Sequence, residues 1–205
     1  MKKNKVKEID IVAKTPFVGL YKVKYENKLN MDREWMVASR KSKEDLEKIY
    51  LDNKEDEIDA VVVAALHKST NKLVLIKQFR VPINDYIYEL PAGLVDGDED
   101  VKKTVERELK EETGLRILDI NKTNSSDKLY LSPGMTDESV AFVYCVCDGE
   151  LSKEFLEEDE DIEAILVSRE EAKNILSSNS KIDIKCYLVL QIFINIGEKA
   201  FIDEI

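Results

Sequence analysis

Nine residues between Gly93 and Leu115 stand at set distances: G-x5-E-x7-R-E-L-x-E-E-x-G-L, with Gly93, Glu99, Arg107, Glu108, Leu109, Glu111, Glu112, Gly114 and Leu115 at the defined points. At average amino-acid usage such a coincidence at one start position is rarer than roughly one in 10^8. The chemistry it carries is that of carboxylates. On a helix turning about 100° per residue, Val101, Val105 and Leu109 form an apolar stripe, with Glu108 and Glu112 beside it. Glu108 and Glu112 are i,i+4 and Glu108 and Glu111 are i,i+3, so all three can converge. Like charges at a buried edge repel, and a divalent cation removes that cost. Mg2+ takes oxygen ligands and keeps several waters, so a few carboxylates suffice, with Mn2+ the alternative. Held there, it suits a phosphate ester, whose charge it neutralises and orients. Arg107 is expected to lock the carboxylates by ion pairing rather than to meet a substrate. Glu99 is expected to close the loop–helix geometry or support an outer cation. The competing account of an acidic run is a solvated Glu/Lys helix, which fits the segment around Arg169–Lys173. At 101–113 the apolar stripe, Gly93 and Arg107 argue against it.

The elements around this helix follow from local pattern. A tight turn at Gly93 should precede it, Asp98 or Gly97 should cap its start, and Gly114 should stop it. Residues 59–67 and 72–79 are apolar runs joined by the turn-forming Lys68-Ser-Thr-Asn71, a hairpin by pattern. Short strands are expected at 86–90, 128–131, 139–147 and 162–168, and helices at 170–178 and 185–196. Strands flanking two or three helices predict an α/β fold, a three-layer α/β/α sandwich with a mixed sheet. Residues 1–57 read as a small β-rich appendage, with strands at 17–25 and 34–39 and a charged, partly helical stretch at 41–53. Residues 58–205 read as the main domain.

Composition narrows the class. With 205 residues, 43% hydrophobic content and 36% charged content, the chain can build a real core and stay highly soluble. A net charge of −11 argues against nucleic acid or an anionic membrane as a general partner. No apolar run approaches the ~20 residues of a membrane span, and no apolar segment follows the charged N-terminus as in a secretory leader. The expected location is the cytoplasm. Cys145, Cys147 and Cys186 read as buried thiols. His67, the single histidine, reads as structural rather than catalytic.

The spaced pattern resembles the signature of the Nudix hydrolases at every defined point. That resemblance implies the α/β/α sandwich, a Mg2+-dependent pyrophosphohydrolase and a small-molecule nucleotide substrate. It adds the carbonyl of Ala92 to Glu108, Glu111 and Glu112 as a metal ligand. Flanking segments resemble the ADP-ribose pyrophosphatases in particular: Gln78-Phe79-Arg80, Glu89-Leu-Pro-Ala-Gly93, and Ser132-Pro133-Gly134-Met-Thr-Asp-Glu138. Pro133 stands further from the box than in that group, which points to an inserted loop at 121–127. Residues 157–162 resemble the group's late acidic loop, implying Glu158 as general base and Glu160 as a carboxylate on the metal side. Glu158, Arg107 and Glu112 are thus the catalytic candidates. Residues 35–40 resemble a segment that crosses a homodimer, stacks its tryptophan on the adenine and hydrogen-bonds it through arginine, which implies Trp35 and Arg40 as substrate contacts. Glu138 belongs with them. Arg80, with its fork of donors, would clamp a phosphate or ribose or pair with an acid. The implied reaction splits ADP-ribose into AMP and ribose 5-phosphate. The alternatives are another nucleoside diphosphate sugar or a dinucleotide, and a non-catalytic nucleotide-sensing domain.

Overall fold

The computed structural model describes residues 5–97, 99–158 and 160–202. The chain divides into two compact units, Met1–Asp59 with Tyr130–Val140, and Ala60–Leu129 with Ala141–Ile205.

The first unit is a three-stranded antiparallel sheet, β1 (Val6–Lys14), β2 (Gly19–Glu26) and β3 (Asp32–Ser39), with helix α1 (Lys43–Tyr50). Period-2 alternation places Ile9, Tyr21 and Val23 on one face, where Leu46 of α1 closes a small core with them. Ser42 caps α1 by accepting the Asp45 N–H at 3.1 Å. Strand β1 has no counterpart in the sequence reading. Ile9 is its one fully buried side chain, so an edge strand of this kind shows little apolar alternation. Residues 130–140 join this unit: Ala38 N–H donates to Met135 O at 2.9 Å, and Ser39 Oγ donates to Asp137 Oδ2 at 3.0 Å.

The second unit holds a mixed sheet in the order β10-β5-β4-β9-β8, with β6 on β5 and β7 on β4. Its strands are β4 (Ala60–His67), β5 (Lys72–Arg80), β6 (Asp85–Glu89), β7 (Ala92–Leu94), β8 (Arg116–Tyr130), β9 (Ser139–Asp148) and β10 (Ile162–Val167). All eight residues of β4 are buried, so both faces of the sheet are covered at its centre. Helix α2 (Val101–Thr113) packs on β4, β7 and β10. Helix α3 (Arg169–Ser177) carries a full capping box, Ser168 with Glu171. Helix α4 (Ile184–Ile196) packs on β6 and α3, and its Phe193 meets Phe201, which meets Tyr144. This is the expected α/β sandwich. The hairpin at 68–71 forms as expected, with Asn71 left-handed at φ 53°. His67 is buried between Thr70 Oγ1 and the Gly149 carbonyl, and the three cysteines are free and buried.

Three local expectations fail. Gly93 is no turn: it lies in β7, opposite Val61. Residues 121–127 are no loop but the middle of β8. Their polar side chains hide the strand, which answers its own polarity: Asn121 Oδ1 accepts the Asn124 N–H at 2.8 Å, and Ser125 Oγ donates to Asn121 O at 2.5 Å. The start of α2 is capped by Asp100, whose side chain accepts the Lys103 N–H at 2.9 Å; Asp98, the other expected cap, lies outside the described residues.

Candidate active site

Helix α2 buries one stripe against the sheet, and two of its acids go with it. Glu108 is 8% exposed and Glu112 is 4% exposed, in line with Val105 and Leu109, which are fully buried. Two glycines make this fit. A Cβ on Gly93 would stand 2.0 Å from the Glu108 carboxyl carbon, so the β7 backbone is the floor on which that carboxylate rests. Gly114 ends the helix with φ +78°, a conformation that favours glycine.

The three expected acids divide into two and one. Arg107 holds Glu108 Oε1 at 2.7 Å and Glu111 Oε2 at 3.0 Å through one nitrogen. Its other nitrogens donate to Glu99 Oε2 at 3.1 and 3.2 Å and to Leu94 O at 3.0 Å. Burial alone would lower the pKa of this guanidinium, but the surrounding acids outweigh it and raise it. Glu99 accepts Thr104 Oγ1 as well, at 3.0 Å, which closes the loop onto the helix as expected; Arg107 holds its pKa down. Glu112 turns the other way, to the backbone N–H of Ala92 at 3.1 Å.

Electrostatically this is a strained cluster. Burial pushes Glu112 well above the ordinary carboxylate range, and the charges of Glu108 and Glu160 push it further, against the Ala92 N–H and Arg80. Burial also raises Glu108, with Arg107 opposing and Glu111 and Glu160 adding to the rise. Among the described residues, no three acidic, histidine or cysteine side chains form a ready-made cation cage. The donor set nevertheless fits a hard divalent cation: it is all oxygen, partly buried, and short of positive charge on the Glu112 side. The Ala92 carbonyl is directed to the same side. Register pairs Val62 with Ala92, while Val63 N–H takes Pro91 O at 2.8 Å. Ala92 therefore occupies a non-hydrogen-bonded position, its N–H and C=O both directed away from β4 and toward the side where Glu112 lies.

The remaining candidates fall as follows. Glu160 is partly buried, accepts the Glu157 N–H at 3.0 Å, and its charge reaches Glu108 and Glu112. Glu158 is exposed two residues earlier. Arg80 forms a bidentate pair with Glu89 at 2.7 and 2.8 Å, and its field also reaches Glu112. Glu89, only 7% exposed, was not singled out from sequence. Its signal was an acid closing a strand directly before Leu90-Pro91, on the β6 position that faces Ile76 of β5. Beside α2, a cavity of about 530 Å3 is lined by Glu99, Lys103, Glu106, Arg107, Lys110, Glu111 and Phe155.

Trp35, Arg40 and Glu138 all lie in the first unit, where Arg40 meets Glu138 and Trp35 meets the loop at Gly134. Arg40 Nε donates to Glu138 Oε1 at 3.2 Å, and the half-exposed Trp35 donates its indole N–H to Gly134 O at 3.2 Å. Trp35, Tyr50, Tyr130, Pro133 and Met135 line a cavity of about 270 Å3 there.

A family model described as NUDIX domain matches residues 56–186. An ADP-ribose pyrophosphatase of Bacillus subtilis (strain 168) is 35% identical over 136 residues, 64% of this chain and 70% of that protein. A protein named putative nudix hydrolase 2, from Caenorhabditis elegans, is 37% identical over 123 residues, covering 56% of this chain and 54% of its own length. A crystal structure titled ADP compounds hydrolase superposes with a TM-score of 0.69, covering 94% of this chain and 92% of that one at 20% identity, a likeness of fold.

Proposed function

The chain belongs to the NUDIX domain family of pyrophosphohydrolases, and we propose that its reaction is the hydrolysis of ADP-ribose to AMP and ribose 5-phosphate with Mg2+. The observation that carries this is the pair of buried carboxylates, Glu108 and Glu112, set at the β7 backbone beside Arg107. Similarity to an ADP-ribose pyrophosphatase over 70% of that protein supports the choice of substrate.

The cation, held by Glu108, Glu111, Glu112, Glu160 and the Ala92 carbonyl, would neutralise the diphosphate and acidify water. Arg107 fixes Glu108 and Glu111 so that the donors stay arranged. Glu158, within the acidic loop, takes the proton from the attacking water as general base. Arg80, oriented by Glu89, presents its free edge to a phosphate or ribose oxygen. Trp35 stacks on the purine, with Arg40 and Glu138 as its polar neighbours. The same reading makes the protein a cytoplasmic homodimer whose β-rich N-terminal region, residues 1–57, serves dimerisation and substrate contact. Exposed Phe17, Leu29 and Met36 in the first unit support an interface there. No helix among the described residues is long and apolar enough to cross a membrane.

A panel of ADP-ribose, other nucleoside diphosphate sugars, dinucleoside polyphosphates and nucleoside triphosphates, assayed with Mg2+, tests the substrate. The highest kcat/KM should fall on ADP-ribose, and a preference for a triphosphate or a dinucleoside polyphosphate would remove the assignment. Glu112→Gln should cost at least about 100-fold in kcat; near-normal turnover would contradict its metal role.

A further inference from the structure

We propose that Phe155 and Lys110 are positioning residues: their contact ties the acidic loop, residues 151–161, to α2 and thereby holds Glu160 by the carboxylate cluster. Its kinetic consequence rests on the hydrolase reading given above.

The loop joins β9 to β10, and its described residues form no helix or strand. It is fixed at both ends. At the start, Ser152 N–H donates to Thr113 O at 3.0 Å. There the backbones pass so closely that a Cβ on Gly114 would stand 2.7 Å from Ser152 Cβ and 2.8 Å from Ser152 N. At the far end, Phe79 N–H donates to Asp161 O at 3.2 Å, and the Tyr86 hydroxyl donates to the Asp161 carboxylate. The stretch between is rich in acids, which repel one another and have no reason to settle on α2. Phe155 supplies the reason. Its ring lies under the Lys110 ammonium, 4.3 Å from nitrogen to centroid, a close cation–π distance. The lysine's aliphatic stem adds apolar cover. Lys110 is adjacent to Glu111 and three residues from Arg107, and all of these line one cavity with Phe155. The contact therefore sits at the rim of the cluster. Glu160, whose charge is felt at both Glu108 and Glu112, stands five residues beyond it. Without the tether, the chain between Ser152 and Asp161 has many ways to place that carboxylate and one useful way.

The test is Phe155→Ala against Phe155→Tyr, which keeps the ring, in the full-length protein. Hydrogen exchange reads the amides of residues 154–158 and 160, and steady-state kinetics use ADP-ribose with Mg2+. The alanine variant should exchange at these amides about tenfold faster. Its kcat should fall by about tenfold or more with KM little changed, and tyrosine should restore both. Because Phe155 is 40% exposed, the variant should fold, which an unchanged thermal transition checks. Unchanged exchange in the alanine variant overturns the tether. Faster exchange with undiminished kcat overturns the positioning role. A wild-type protein inert on every nucleotide diphosphate sinks the substrate reading instead, and the exchange result still decides the tether.

Discussion

At Gly93 the side chain that is missing is the space Glu108 occupies. The backbone there is extended, so glycine is needed for proximity and not for an unusual φ. Gly97 shows the contrast: its φ is +53°, yet a Cβ would meet nothing within 4 Å. Gly93→Ala should therefore damage the site more than the fold. A methyl group 2.0 Å from a carboxyl carbon cannot be absorbed in place, so Glu108 must swing out and release Arg107 or the β7 strand must shift. We expect a loss of about 100-fold in kcat and about 1–3 kcal/mol in stability, measured by turnover with Mg2+ and by urea unfolding. A variant with normal turnover would mean that Glu108 does its work elsewhere. Glu89 teaches the same lesson about pairs. Arg80 gives it two of its five N–H donors, so a substrate that met Arg80 would meet an oriented guanidinium and not a loose cation.

The helix α2 is the element in which sequence and structure agree most closely. Its stripe, its stop at Gly114 and the burial of two glutamates beside valine and leucine all follow from a period of about 3.6 residues. Periodicity could not show where each carboxylate turns. That is decided by groups outside the helix: the Ala92 N–H takes Glu112, and Glu99 with the Leu94 carbonyl anchors Arg107, which in turn holds the others. Arg107→Lys tests this division. A lysine cannot reach Glu99, Glu108, Glu111 and the Leu94 carbonyl together, so kcat should fall by about tenfold or more and the thermal transition should drop by a few degrees. Equal turnover in the lysine variant would reduce Arg107 to a surface charge. The same physics explains the misreadings. Polar strands such as β8 are hidden because their hydrogen bonds, and not their hydrophobicity, place them. Edge strands such as β1 are hidden because they bury so little. Close approaches such as Gly93 to Glu108 are hidden because they join residues that only tertiary structure brings together.

Across the molecule, charge is handled differently in the two units, and the first one gives a measurable consequence. There Lys41 is the hub of three acids, 2.6 Å from Asp59, 3.3 Å from Asp56 and 3.7 Å from Asp137. Burial opposes its charge, but those pairs prevail and raise its pKa, so the hub persists into alkaline solution. Tyr50, close to the same acids, likewise keeps its proton to higher pH, but here burial itself is the leading cause. Burial, with Asp137 and Asp56 adding to it, pushes its phenol from the ordinary 10 up to about 12. Between those values the unfolded chain gives up the proton while the folded one keeps it. The stability owed to neutral Tyr50 is thus complete below pH 10 and is lost as pH climbs toward 12. Two pKa units correspond to roughly 2–3 kcal/mol at most. Trp35 is the only tryptophan and lies in this unit, so its fluorescence reads the unit's unfolding directly. Urea transitions at pH 9 and pH 11.5 should show the wild type losing about 2 kcal/mol more than Tyr50→Phe, whose ring has no proton to release. Parallel losses in the two proteins would show that Tyr50 ionises as easily folded as unfolded, and that its burial among the acids of this hub has no bearing on alkaline stability.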